Sequence, residues 1–275
     1  MHIYINEKPA DIVLESEKTV GELLSGIDNW LSGSDRRISG LRINGEAVNS
    51  TAMTEAFARS LEHIDALNII VSSWDELAIE ALLNTVEDVS IYEAASFEDK
   101  PHIKSVWEAS PAACFFAEHI PDVFARLKGM FSGEGLTPAE ISALLDERVR
   151  ELTSANTEFR EMAASIIVVA KQLEDLPLDI QTGQDRKAAE TMKLFTNTAE
   201  KVLRLIRILT MQGISMESVS IDNQPLSAFI EAFTALLKEL LTAYENKDVV
   251  LVGDVAEYEI SPRLLKLYAA IEGQL

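Results

Sequence analysis

Cys114, Glu118, His119 and Asp122 fall within nine residues of one another, with His102 upstream. These are the side-chain types that hold zinc or activate a thiol. On a helix, a spacing of four places Cys114 with Glu118 and Glu118 with Asp122 on one face. A zinc site needs three or four converging ligands, and a cysteine nucleophile needs a base and a group that orients it. The histidines His2, His63, His102 and His119 are scattered, none at ligand spacing from another. Cys114 lies in PAACFFAEHI, a run that reads as core, where a free cysteine packs as a small hydrophobe. No catalytic, cofactor-binding or metal-binding residue is therefore expected.

Other chemistry is equally thin. Gly133-Glu134-Gly135 has no strand before it and no P-loop lysine after it, so it reads as a lead into a helix. Glu257 and Glu259 form one of many carboxylate pairs in an acidic chain and read as solvated surface. A phosphotransfer bundle would present an exposed His with a Lys and a small residue close behind. His119 is followed by IPDVFARLKG, where Pro121 interrupts and Lys128 lies nine residues on. A signalling phosphotransfer or small-ligand-sensing bundle stays open as the alternative function.

Bulk properties narrow the class. Across 275 residues the formal net charge is −21, which argues against nucleic acid as a partner, since phosphate binding needs concentrated Lys and Arg. It also disfavours an anionic membrane surface. Ser60 to Asp99 holds ten Asp or Glu and no Lys or Arg. That stretch reads as a solvated acidic face, with steering of a basic partner as the other reading. A single cysteine, no signal-peptide pattern and no apolar run beyond MAASIIVVA (162–170) give a soluble, cytoplasmic expectation.

The elements that would position any site come in two groups. HIYIN (2–6) and ADIVLE (10–15) alternate around a turn at NEKP and read as a hairpin. Thr19 and Glu22 form a capping box for a helix whose stripe is Val20, Leu23, Leu24, Ile27 and Leu31. RISGLRI (37–43), the turn Asn44-Gly45, EAV, a helical turn near TEAFARS and LNIIVSS (67–73) follow. This order over residues 1–73 resembles the ubiquitin-like β-grasp superfamily, in which two strand pairs wrap one helix. The resemblance implies a mixed sheet and, without the Gly-Gly tail of the modifiers, a docking domain rather than a conjugated one.

Residues 74–275 read as helical. Pro101, Pro111 and Pro121 divide one region into short helices, and Thr137-Pro138-Ala139-Glu140 is the strongest helix start. Leu145, Val149, Leu152, Asn156, Phe159, Ala163, Ile166, Ala170 and Leu173 form a coiled-coil seam with Asn156 as its polar core entry, partnered by Thr196 or Thr198. LPLDIQTG (176–183) reads as the connection to a second seam through Ala188, Met192, Phe195, Ala199, Val202, Ile206 and Leu209. Pro225 to Tyr244 and residues 248–260 are further helical segments, giving an antiparallel bundle.

The expected class is thus α+β, a β-grasp domain over 1–73 and a helical bundle over 74–275. Alternation sets Ile3, Ile5, Ile12, Leu14, Ile69 and Val71 against the first helix. It leaves Tyr4, Val13, Arg42 and Ile70 on the opposite face as candidate partner-binding residues. The expected function is a non-catalytic interaction protein, an adaptor, assembly factor or chaperone. Its expected partner is a protein, basic if the acidic stretch steers it, and self-association stays open.

Overall fold

Strand β1 (His2–Ile5) turns through Asn6 and Glu7, both left-handed at φ 50° and 64°, into β2 (Lys8–Pro9). Two central residues with positive φ make the turn that matches strand twist. The computed structural model, which describes residues 1–14, 16–34, 36–49 and 52–275, ends β2 far short of the expected strand 10–15. Tyr4 pairs with Pro9 and the Ala10 amide still donates to the Ile3 carbonyl, after which the segment leaves β1. Glu15 lies outside the described residues.

Helix α1 (Val20–Leu31) starts at the Thr19 capping box as expected. The main-chain amides of Lys18 and Thr19 hold the Glu22 carboxyl below its usual range, so this cap contributes above the ordinary carboxylate pKa and fades as pH falls through the lowered one. After α1 come β3 (Arg36–Ile43), β4 (Glu46–Ala47), α2 (Met53–Ala58), a 3-10 turn (Leu61–His63) and β5 (Ala66–Ser73). The Asn44-Gly45 turn is left-handed at both residues. Asn44 also accepts bonds from the Asp65 and Ala66 amides through Oδ1, at 2.9 and 3.0 Å, tying the turn to the start of β5.

Among the described residues the five strands form one mixed sheet in the order β2-β1-β5-β3-β4, with β1 and β5 parallel. Cross-strand rows Ile3–Leu67–Ile43 and Ile5–Ile69–Leu41 face α1. These join Val20, Leu23, Leu24, Ile27 and Leu31 in one core, with Ile5 and Ile12 packed at its margin. Leu14, expected in that core, is 38% exposed, because its segment has left the sheet.

Helix α3 (Trp74–Ala94) follows β5 without a break, capped by Ser73 and Glu76. Helices α4 (Lys100–Glu108), α5 (Pro111–His119) and α6 (Pro121–Ser132) each carry proline in the first turn, as expected. Trp107 is buried between Phe124 and Phe131, and Tyr92 meets Phe131 edge-on at 4.8 Å. Cys114 corrects its expectation. Ala113 and Phe116 take the inner face of α5, and Cys114 is exposed.

Contacts divide the chain into two compact units, Met1–Val149 and Arg150–Leu275. The division falls inside α7 (Pro138–Thr153), which opens on the Thr137–Glu140 capping pair. The second unit holds α8 (Ala155–Glu161), α9 (Ala163–Gln181), α10 (Asp185–Met211), the hairpin β6 (Ser220–Ile221) and β7 (Gln224–Pro225), and α11 (Leu226–Glu245). Helix α12 (Val249–Gly253), a π-helical turn (Asp254–Ile260) and α13 (Ser261–Glu272) complete it. The final segment is helical as expected; the β6–β7 hairpin, on a left-handed Asp222-Asn223 turn, was not foreseen.

Two expectations about the seam are corrected. Non-helical backbone at Ser154 rotates α8, so Asn156 is exposed while Leu152 and Phe159 remain buried. Thr196 and Thr198 bond to their own helix, at the Met192 and Leu194 carbonyls. The residues 176–181 expected in a connection continue α9 through Pro177. An internal proline costs about 3 kcal/mol. A Cβ at Gly253 would lie 3.2 Å from the Pro177 ring, so the missing side chain leaves room for the ring. The second seam is as expected: all seven named residues of α10 are buried.

Two predictions follow from this packing. Ile69→Ala should lower unfolding free energy by about 2–5 kcal/mol, and half-buried Ile5→Ala by less, in denaturant titrations; equal costs would contradict the register. Asn156→Leu should change stability by less than about 0.5 kcal/mol and leave solution mass unaltered. Arg204→Met should instead cost toward the lower end of ~3–5 kcal/mol, since fully buried Glu151 loses its bidentate guanidinium at 2.7 and 2.9 Å. A large effect at Asn156 with none at Arg204 would reverse this assignment.

Candidate functional site

The sheet's outer face, opposite α1, is built by strand alternation alone. Tyr4, Asn68 and Arg42 stand side by side as register partners across β1, β5 and β3. Two residues along β5, Ile70 faces Gly40, and a Cβ on that glycine would come 3.1 Å from Ile70 Cδ1. The missing side chain lets Ile70 lie across the neighbouring strand. Ser39 occupies the bulge beside it and reaches Ser72 Oγ at 2.8 Å.

Every fully buried sheet residue lies on the α1 side. On the outer side Tyr4, Asn68, Ile70 and Ser72 are half-buried, and His2, Arg37 and Arg42 are exposed. A loose ion pair links Arg42 with Glu7 at 3.9 Å, and the Glu7 amide donates to Asn68 Oδ1. Asn6 reads as polar turn chemistry but works as a clamp. Its side chain donates to the Val71 carbonyl and accepts from the Val71 amide, both at 2.8 Å, extending the β1–β5 ladder.

Of the four residues expected on this face, the structure brings together Tyr4, Arg42 and Ile70. Val13 is elsewhere: its segment leaves the sheet after Ala10, and it is 84% exposed. Asn68 and Arg37 belong to the face by the same alternation that found Ile70, and apolar patterning passed over them. Such a face presents a mixture of apolar, polar and cationic side chains.

The residues weighed for metal or thiol chemistry do not converge. Asp122 turns to Arg148 at 2.9 Å, while His119 contacts Glu118 at 3.8 Å and the Phe115 ring. Lys128 lies over Phe124, away from His119's partners. Among the described residues no group of three His, Cys, Asp or Glu is arranged to hold a metal ion, and no helix is long and apolar enough to cross a membrane.

The second unit concentrates its buried charge where the α7–α8 junction meets α10. Glu151 takes Arg204, and Glu158 takes Lys201 at 2.8 Å and Arg150 at 3.3 Å. Each carboxylate is met by a cation, which is how buried charge is tolerated. These pairs tie the α7–α8 junction to α10.

Residues 1–73 match the family described as the TP0873 N-terminal domain, ending where β5 ends. Residues 157–270 match a domain of unknown function, DUF8042. The chain is 20% identical over 264 residues to an uncharacterized protein of Treponema pallidum (strain Nichols), a match spanning 95% of this chain and 92% of that protein. No solved structure matches.

Proposed function

We propose that this chain is a non-catalytic interaction protein, an adaptor, assembly factor or chaperone of the cytoplasm. It would bind partner proteins through the sheet's outer face and a helical bundle formed by the later helices. One observation carries the reading: Tyr4, Arg42 and Ile70 share a sheet face on which, among the described residues, none is fully buried. Side chains of this mixture, an aromatic, a guanidinium and an aliphatic, are those enriched where proteins meet. The sheet order and the α1 crossing support a ubiquitin-like β-grasp identity for residues 1–73. Conjugation does not fit, because Ser72, Ser73 and Trp74 run straight into α3 where a modifier would end in a free carboxylate.

The test compares two baits. Wild-type chain and a Tyr4→Ala, Arg42→Glu double variant, matched by circular dichroism, are used to capture proteins from native cytoplasm. A protein retained by the first and lost by the second, and then shown to bind purified wild-type chain directly, is the expected result. Identical captures, or stoichiometric phosphate transfer to His119, would replace this reading with the alternative.

A further inference from the structure

After Ala10 donates its amide to the Ile3 carbonyl, the main chain parts from β1. Among the described residues, no main-chain group of Asp11, Ile12, Val13 or Leu14 is hydrogen-bonded. Backbone amides and carbonyls left this way at a sheet margin are a template for another strand. Between this segment and α1 lies a groove of about 560 Å³, lined chiefly by Ile5, Ala10, Ile12, Leu23, Ile27 and Trp30. Trp30, the large wall of the groove, is 74% exposed. Gly26 leaves the α1 side open, with nothing within 4 Å of where its Cβ would be. The charged side chains in the lining are Asp11 and Glu17, both carboxylates.

We propose that this margin binds an unfolded segment of a partner protein in which apolar and basic residues alternate, adding it as a strand beside residues 11–14. Each observation sets one property of the occupant. Unpaired main chain asks for an extended backbone with free amides. The chiefly apolar lining, with Ile12 and Trp30 in it, takes every second residue of such a strand if that residue is apolar. Asp11 favours cations on the remaining positions, and a net charge of −21 repels an acidic segment from a distance. A second copy of this chain would bring the same carboxylates to the margin, so self-pairing is disfavoured. This surface also gives exposed Val13 a place, beside the bound strand rather than on the sheet face.

The probe is an eight-residue peptide of alternating valine and lysine, titrated into the full ¹⁵N-labelled chain. Saturable shifts confined to residues 10–30 are expected, at least tenfold weaker in the Trp30→Ser and Ile12→Asp variants. Two control peptides separate charge from strand pairing: alternating valine and glutamate, and the valine–lysine peptide with every amide N-methylated. Both should bind at least tenfold more weakly. Equal binding of the N-methylated peptide, shifts outside residues 10–30, no saturable binding, or dimerisation through these residues without peptide would each overturn the proposal. In the Tyr4→Ala, Arg42→Glu variant peptide binding should be unchanged, whatever becomes of the sheet-face reading; its loss would overturn this site.

Discussion

Parallel pairing of residues 2–5 with residues 66–69 is the contact that the N-terminal half is organised around. It joins the first strand of the sheet to β5, so the chain between must return before it closes. Closing so long a loop is unfavourable until burial rewards it. The reward is specific. Ile3 and Ile5 meet Leu67 and Ile69 over α1. Asn6 then fastens the end of the ladder with two side-chain bonds to Val71. Asn44 does the equivalent at the other end by holding the Asp65 and Ala66 amides. Two asparagines, each in a left-handed turn, thus lock both ends of β5.

Closure also decides what stays open. Because β5 is flanked by β1 and β3, its outer side is broad enough to gather Tyr4, Asn68, Arg42 and Ile70 from three strands. Because the chain turns away from β1 after the Ala10–Ile3 bond, residues 11–14 lie outside the sheet. The open face and the unpaired margin are therefore consequences of one register, and a shift of one residue would exchange the core and solvent faces entirely.

Local chemistry was the legible part. Thr19 with Glu22, Thr137 with Glu140, and Asn44-Gly45 act within a few residues, and each stands where sequence places it. The α10 stripe was legible because its burial is one-sided over many turns. What escaped depended on partners remote in sequence. The extent of β2 depends on its pairing with β1, and the space beside Pro177 of α9 is set by Gly253, far along the chain. Asn156 escaped for a local reason. A single non-helical residue, Ser154, resets the helical phase, and a spacing rule carried across it puts the wrong side chain inward. On the candidate face, alternation found Tyr4, Arg42 and Ile70. It failed for Val13, which is not in a strand. The groove beside Trp30 had no sequence signal, since α1 and residues 10–12 meet only in the fold.

The acidic stretch poses a different question, because helix stability does not account for it. In α3, Asp75 and Glu76 sit in the first turn, where the helix dipole favours negative charge, and Glu76 completes the cap. Glu87, Asp88 and Glu93 lie toward the other end, whose last turn carries no basic residue. Burial, with Glu87 nearby, pushes the Asp88 carboxyl above its usual range. A carboxyl raised in the folded state contributes stability below its unfolded pKa and loses it as pH rises through the raised value. Asp88 thus opposes folding at neutral pH, whereas Glu22, shifted the other way, supports it. Residues kept against the helix's own preference are better understood through what they do at the surface. A dense negative field favours solubility and speeds encounter with cationic segments, an effect that salt weakens. On that account, a segment of the kind proposed for the Trp30 groove would meet the same sign of charge along α3.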